Sequence, residues 1–322
     1  MKRAIVLIAL FGFCAPMTVQ AQGAYPERPL RLVLSVPPGG AADYIGRITA
    51  SKLGESLRQN VVVDSRPGAG GVVASSHVTN ATPDGHTLYL SSSTTHGVAP
   101  VLYKKLPYDP IKGFTHISLI SVMPAMMAVH ADVPAKTVKE FIALAKAKPG
   151  ALRFASAGNG SVPHLMGEQF KIVTGTQLQH VPYKGSGQAV VAMVSGETHV
   201  MWDGLPSLIG QIKAGRLRPL AAMHDKRFPI FPDVPTAAEA GLRGMEGGIW
   251  YGLSAPPGVP RAIVERLNKE IERIVAQPDV QKRFATVGGI AAPTSPGGYI
   301  AHIRKDNKKW GEVVRISGAS LD

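Results

Sequence analysis

Four short runs of glycine and hydroxyl residues are the parts of this chain best suited to chemistry: PPGG at 37–40, SSSTT at 91–95, GNGS at 158–161 and KGSG at 184–187. Glycine lets a backbone N–H approach an oxygen closely, and a helix N-terminus presents unpaired donors with a partial positive charge. Such turns suit a carboxylate held by neutral donors. The candidate binding residues are Pro38, Gly39, Gly40 and Asp43 at the first turn and Ser92 and Ser93 at the second. Gly158, Asn159 and Ser161, with His164 just beyond, belong to the third, and Lys184 and Gly185 to the fourth. Taken alone, each turn is read more simply as a tight connection or cap. Ser161 with Pro163 is a plausible N-cap and first-turn pair. Asp43 is placed to accept from backbone donors or to hold a ligand amine or a water. His96 and His164 are candidates for lining a cleft, although a histidine near a turn more often makes a local hydrogen bond.

Enzymatic constellations are scarce. The ten histidines never form HEXXH or close ligand pairs, so no metal is expected. There is no GxSxG elbow and no GxxxxGK[ST] phosphate loop. RPGAGG at 66–71 follows a strand but does not complete GxGxxG, and no cofactor is expected. No catalytic residue is assigned. An exported hydrolase using Ser161 or Ser186 with a cleft histidine is the competing enzymatic reading, and a surface adhesion or nucleic-acid module is a third.

The elements that must position these turns follow from composition and pattern. A chain of 322 residues suggests two α/β lobes of about 150 residues each. Apolar residues make up 45%, and Gly 35 with Pro 26 stay below the share typical of low-complexity chains, so the chain should fold. The single cysteine, Cys14, rules out a disulfide framework. The net charge of +13 is spread along the sequence without the aromatic-rich strands that stack bases, so no nucleic-acid partner is expected.

Leu30 to Val36, Asn60 to Asp64 and His86 to Leu90 read as strands, the first and third running into the turns at 37–40 and 91–95. A second set contains Met126 to Val129, a helix over 137–148, and strands at 152–156, 178–182, 198–202 and 217–222. A strand near Trp250 and an amphipathic helix over 260–277, with Ile263, Leu267, Ile271 and Ile274 on one face, come later. A last helix follows Pro296. The alternation predicts a mostly parallel sheet in each lobe. The expected division is a signal peptide over 1–21, a first lobe from 22–122 and 225–322, and a second lobe from 123–224.

Lys2 and Arg3, the apolar stretch from Ala4 to Ala15, and small residues up to Ala21 read as a secretory signal peptide. Twelve residues rise about 18 Å as helix, short of a hydrocarbon core of about 30 Å. Cleavage after Ala21 removes Lys2, Arg3 and Cys14, leaving an exported chain without cysteine.

Eight strings carry a more specific signal: VPPGGAADYIGR, SRPGAGG, ATPDGHTLYL, LPYDPIKGFTHISLI, FASAGNGSVPHL, VPYKGSGQAV, FPDVPTAAEAG and WYGLSAPPGVP. In this order, from about Tyr25 to the C-terminus, the chain resembles the Bug-type substrate-binding receptors of tripartite tricarboxylate transporters. The resemblance implies a two-lobed periplasmic binding protein of the type II, Venus-flytrap kind. Such a receptor closes around a small carboxylate and delivers it to integral membrane permease subunits, acting as a monomer in the periplasm. It also implies a backbone- and water-mediated grip, with matching positions at Pro38, Gly39, Gly40, Asp43, Ser92, Ser93, Gly158, Asn159, Ser161, Lys184 and Gly185. Pro37 and Pro38 stand where members often have an aromatic residue and a proline. Gly297 and Gly298 replace an acidic pair common at the start of the last helix.

Overall fold

The computed structural model describes residues 25–319, so Cys14, Ala21 and the expected signal segment lie outside the described residues. The strands are β1 (Leu30–Leu34), β2 (Val61–Ser65), β3 (Thr87–Ser92), β4 (Thr115–His130), β5 (Arg153–Ser156), β6 (Gln179–Pro182), β7 (Val200–Gly204), β8 (Leu217–Ala222), β9 (Gly248–Ala255) and β10 (Ile290–Ala291). The helices are α1 (Ala41–Leu57), α2 (Val72–Thr79), α3 (Ala99–Leu102), α4 (Val138–Ala147), α5 (Val162–Thr174), α6 (Ser186–Val194), α7 (Leu205–Lys213), α8 (Arg261–Val275), α9 (Pro278–Thr286) and α10 (Pro296–Ser317). Ser93–Val98 forms a π-helical segment between β3 and α3.

These elements build two sheets sharing one long strand. In the first, β2, β1 and β3 pair in parallel, and β9 runs antiparallel between β3 and the first half of β4. In the second, β6, β5 and β7 are parallel, and the second half of β4 runs antiparallel to both β7 and β8. Each sheet is therefore largely parallel, with its reversed strand, β9 or β4, at the crossing between the two. This is the two-lobed α/β architecture the sequence predicts.

Burial explains why the pieces hold. The strands of a sheet covered on both faces need continuous apolar runs, and Leu32, Val33 and Leu34 of β1 are all fully buried. Helix α1 sets Ile45, Ile48 and Leu53 against that sheet, and α8 adds Val264, Leu267, Ile271 and Ile274 at helical spacing. The second sheet buries Phe154 and Trp202 with Phe141 of α4 and Phe170 of α5. Helix α10 reaches both sheets: Tyr299 and Ile303 pack in a separate small cluster with Leu119 of β4 and Trp250 of β9, whereas Trp310 and Val313 join the Phe141 cluster.

The crossing is narrow and specific. Strand β4 pairs with β9 as far as Pro124 opposite Gly248 and with β7 from Ala125 onward. Ala125 N–H donates to Gly247 O at 3.0 Å, Gly247 N–H to Met223 O at 2.9 Å, and Met223 N–H to Ala125 O at 2.8 Å. Three chain segments are thereby tied in a ring of backbone bonds. A Cβ on Gly248 would lie 2.2 Å from Met123 O, so only glycine fits there.

Candidate functional site

The site begins with backbone. After β1 the chain turns through Pro37–Gly40 into α1, and Gly39 takes φ +100, a conformation that favours glycine. Gly40 is the N-cap of α1 and, lacking a side chain, makes no capping bond. The same device recurs twice in the other lobe. Gly185 caps α6 and Gly204 caps α7, each without a side-chain bond. The first-turn N–H groups of a helix have no intrahelical partner, so these three helices present uncapped donors.

All three helix starts line one cavity of ≈ 460 Å³, through Gly40 and Ala41, Gly185 to Gly187, and Gly204 with Pro206 and Ser207. Ile249 and Tyr251 of β9 contribute wall from the crossing, with Met123 of β4. An adjoining cavity of ≈ 370 Å³ shares Val36, Pro37, Ala42, Ile249 and Tyr251 and extends to Pro67–Gly71, Ser92 and Thr94. Both lie beyond the carboxyl ends of strands, where open α/β sheets place ligands. No lysine, arginine or histidine lines either one. The arrangement can hold an anion through neutral donors inside a largely apolar wall.

The structure distributes the candidate residues unevenly. Pro38, Gly40, Gly185 and Ser92 come together in these cavity walls, from turns far apart in sequence. Gly39 supports them from behind: its N–H donates to Asp43 Oδ2 at 3.0 Å. Arg47 Nε donates to that same oxygen at 2.9 Å and holds the Asp43 carboxyl below its ordinary range, against burial and with help from Gly39. Asp43 thus braces its own turn.

In the hydroxyl run the residues alternate. Ser92 forms a capping box with Thr95 at the start of the π-helical segment. Ser93 is fully buried, and its hydroxyl has no hydrogen-bond partner. Ser91 turns inward to Tyr299 Oη at 2.7 Å and Ser254 Oγ at 2.8 Å. His96 is buried beside His116, and burial pushes its imidazole well down.

The GNGS turn abuts the KGSG turn, since a Cβ on Gly158 would meet Tyr183 O at 3.1 Å. Neither it nor His164 lines the two cavities. Ser161 caps α5, donating to Gly158 O at 2.7 Å and accepting from His164 N–H at 3.3 Å. Asn159 is exposed. His164 accepts from Gly160 N–H at 3.1 Å and stacks on His180 at 4.0 Å between centroids. Burial lowers both imidazoles, His180 to about 3, with the neighbouring His164 adding to the effect there. Lys184 is exposed, and its N–H donates to Gln188 Oε1 at 3.2 Å.

Several contributors were not among the sequence candidates, the Gly204 start of α7 among them. The RPGAGG run forms a wall, with Gly71 at φ +95 and so close to Thr95 that a Cβ would lie 2.4 Å from its methyl. Ile249 and Tyr251 enter from β9. Asp203, next to last in β7, lies in the cavity wall, and burial pushes its carboxyl up to about 6. The RPGAGG glycines were visible as a signal, whereas nothing local marks Ile249, Tyr251 or Asp203. Among the described residues no group of three or more His, Cys, Asp or Glu is placed to hold a metal ion.

Comparison with known proteins fits this geometry. The profile of the tripartite tricarboxylate transporter family receptor matches residues 45–318. Protein BugT of Bordetella pertussis is 34% identical over 320 residues, covering 98% of this chain and 96% of that protein. A UPF0065 protein of Pseudomonas sp. strain P51, from the tcbD-tcbE intergenic region, is 37% identical over 97% of this chain and 93% of its own length. Among solved structures, a periplasmic transporter superposes with TM-score 0.83 at 37% identity, covering 93% of this chain and all of the other. Rpa4515 of R. palustris with adipate gives 0.83 at 31%, covering 92% and 99%. MatC from Rhodopseudomonas palustris with bound malate gives 0.78 at 32%, covering 90% and 100%.

Proposed function

The chain belongs to the family of tripartite tricarboxylate transporter receptors, and on that premise we propose that it is a periplasmic receptor for a small organic carboxylate. The observation that carries this reading is the convergence of three glycine-capped helix starts, Gly40, Gly185 and Gly204, on one cavity without a cationic side chain. Each helix start favours negative charge by roughly 0.3 to 1 kcal/mol at exposed sites. Closure of the two lobes about the Pro124–Gly248 crossing brings donors from both sides onto one ligand.

The structures of relatives with adipate and with malate support a carboxylate as cargo and make these two acids the first probes. The protein acts without catalysis, as a monomer, and hands its ligand to integral membrane permease subunits. The N-terminal segment directs export and is removed after Ala21. Affinity near the micromolar range, about 8 kcal/mol, is enough for a receptor that must also release its cargo.

A thermal-shift panel of mono- and dicarboxylates tests the reading. A ligand present at about 100 times its dissociation constant stabilises the folded protein by about 2.7 kcal/mol, a shift of several degrees. A broad panel of organic acids that moves the melting temperature nowhere, together with turnover of an ester or amide, would refute it.

A further inference from the structure

In a wall built otherwise of amides, hydroxyls and apolar groups, Asp203 is the one carboxyl group. It is the next-to-last residue of β7, is 2% exposed, and shares the cavity wall with Gly40, Gly185, Ser186 and Tyr251. Its Oδ1 accepts from Gly204 N–H at 2.7 Å, while Oδ2 has no hydrogen-bond partner. The groups facing it from each neighbouring element carry no positive charge. Strand β9 contributes Tyr251, whose phenol is kept neutral by burial and by the adjacent Asp203 carboxyl. Helix α6 contributes the Ser186 hydroxyl, β4 sets Met126 opposite in register, and α7 begins with Leu205 and Pro206. Burial outweighs the help that Ser186 and Gly204 give the charged form, and raises the carboxyl to about 6.

We propose, on the reading that this cleft binds carboxylates, that binding is proton-linked at Asp203: the bound anion holds the Asp203 carboxyl neutral, and one proton enters with the ligand. Two carboxylates in one poorly hydrated site with no counter-charge cannot both stay ionised without a large penalty, so one of them keeps a proton. The ligand is already anchored on amide donors that favour its charged form. Asp203 has only Gly204 and Ser186 to favour its own, so it is the group that takes the proton up. Once neutral, it supplies an O–H donor for a charge-assisted bond to the ligand. Opening the lobes rehydrates the site and returns the proton to water.

The linkage has a definite sign. The folded free receptor carries a charged Asp203 above about pH 6 and a neutral one below it. Ligand binding therefore weakens by about tenfold for each pH unit above about 6, and stays level just below it. Isothermal titration of the full-length mature protein with adipate and with malate, at pH 7.5 in two buffers of different ionisation heat, reads the proton directly. Uptake close to one proton per ligand is expected, with Kd rising about 50-fold between pH 6 and pH 8. Asp203→Asn places a permanent neutral donor at the same position, and its Kd should be flat over that range with no proton uptake. Buffer-independent heat and a flat Kd in the wild-type protein would overturn the proposal whether or not the Asn variant folds. If neither acid nor any other carboxylate binds, the receptor reading itself falls and takes this inference with it; binding without proton uptake removes the inference alone.

Discussion

Gly40 is extended, with φ −88 and ψ 175, which is the conformation a following proline demands. Position 41 is the first helical residue of α1, where proline is well tolerated because its missing N–H has no intrahelical partner. Ala41→Pro therefore deletes one cavity-facing amide donor while leaving charge and fold in place. Loss of a hydrogen bond to a charged group is worth about 1.5 to 3 kcal/mol, so carboxylate affinity should fall at least tenfold by calorimetry with the melting temperature nearly unchanged. An unchanged affinity would show that the first turn does not hold the ligand. At this scale the sequence was informative where a residue type has one physical use. Gly39 and Gly185, both at positive φ, announce their turns. Asp203 was silent, because burial sets its character and that burial depends on how β9 and α6 pack around it, which no local pattern reveals. Ser161 and Asp43 were visible for their local roles as cap and brace, which the hydrogen bonds show.

Strand β4 is the element the sequence conceals best. Ser118, Ser121 and Pro124 look like interruptions of an apolar run, yet all three lie within a single strand of 16 residues. Ser118 is accommodated by donating to Leu119 O and Thr294 O, and Pro124 falls where β4 exchanges one sheet for the other. Helix α7, which the sequence reading does not place, begins behind Gly204 as its cap and Pro206 as its first-turn proline. By contrast α8 was legible from end to end, since its four apolar positions repeat at helical spacing beside exposed charge. The crossing also yields a prediction. Gly248→Ala drives a methyl against Met123 O and the backbone at Ala125, and overpacking of this kind costs about 1 to 3 kcal/mol. Chemical denaturation should report that loss, and small-angle scattering should show reduced closure on adding ligand. A variant with native stability would mean the three segments separate more readily than their ring of hydrogen bonds implies.

Over the whole molecule, histidine burial dominates the response to acid. His116 is pushed down to about 4 and His180 to about 3, and His96 lies well below its ordinary value, all chiefly through burial. Unfolding frees these imidazoles to bind protons near pH 6.5, so their contribution to stability is present above that value and is lost as pH falls toward 4. Asp203 and Asp306, both raised to about 6, act with the opposite sign but are fewer. The melting temperature should therefore decline steadily from pH 6.5 to 4.5 without ligand; a flat or rising profile would contradict the buried, neutral assignment. The positive charge of the chain stands outside this account, because none of it reaches the cavity walls. That separation has an evolutionary consequence. A donor that belongs to the main chain survives nearly every point mutation except one to proline. Walls such as Ile249 and Tyr251 can then drift toward new cargoes while the anchor for the acid group is inherited unchanged.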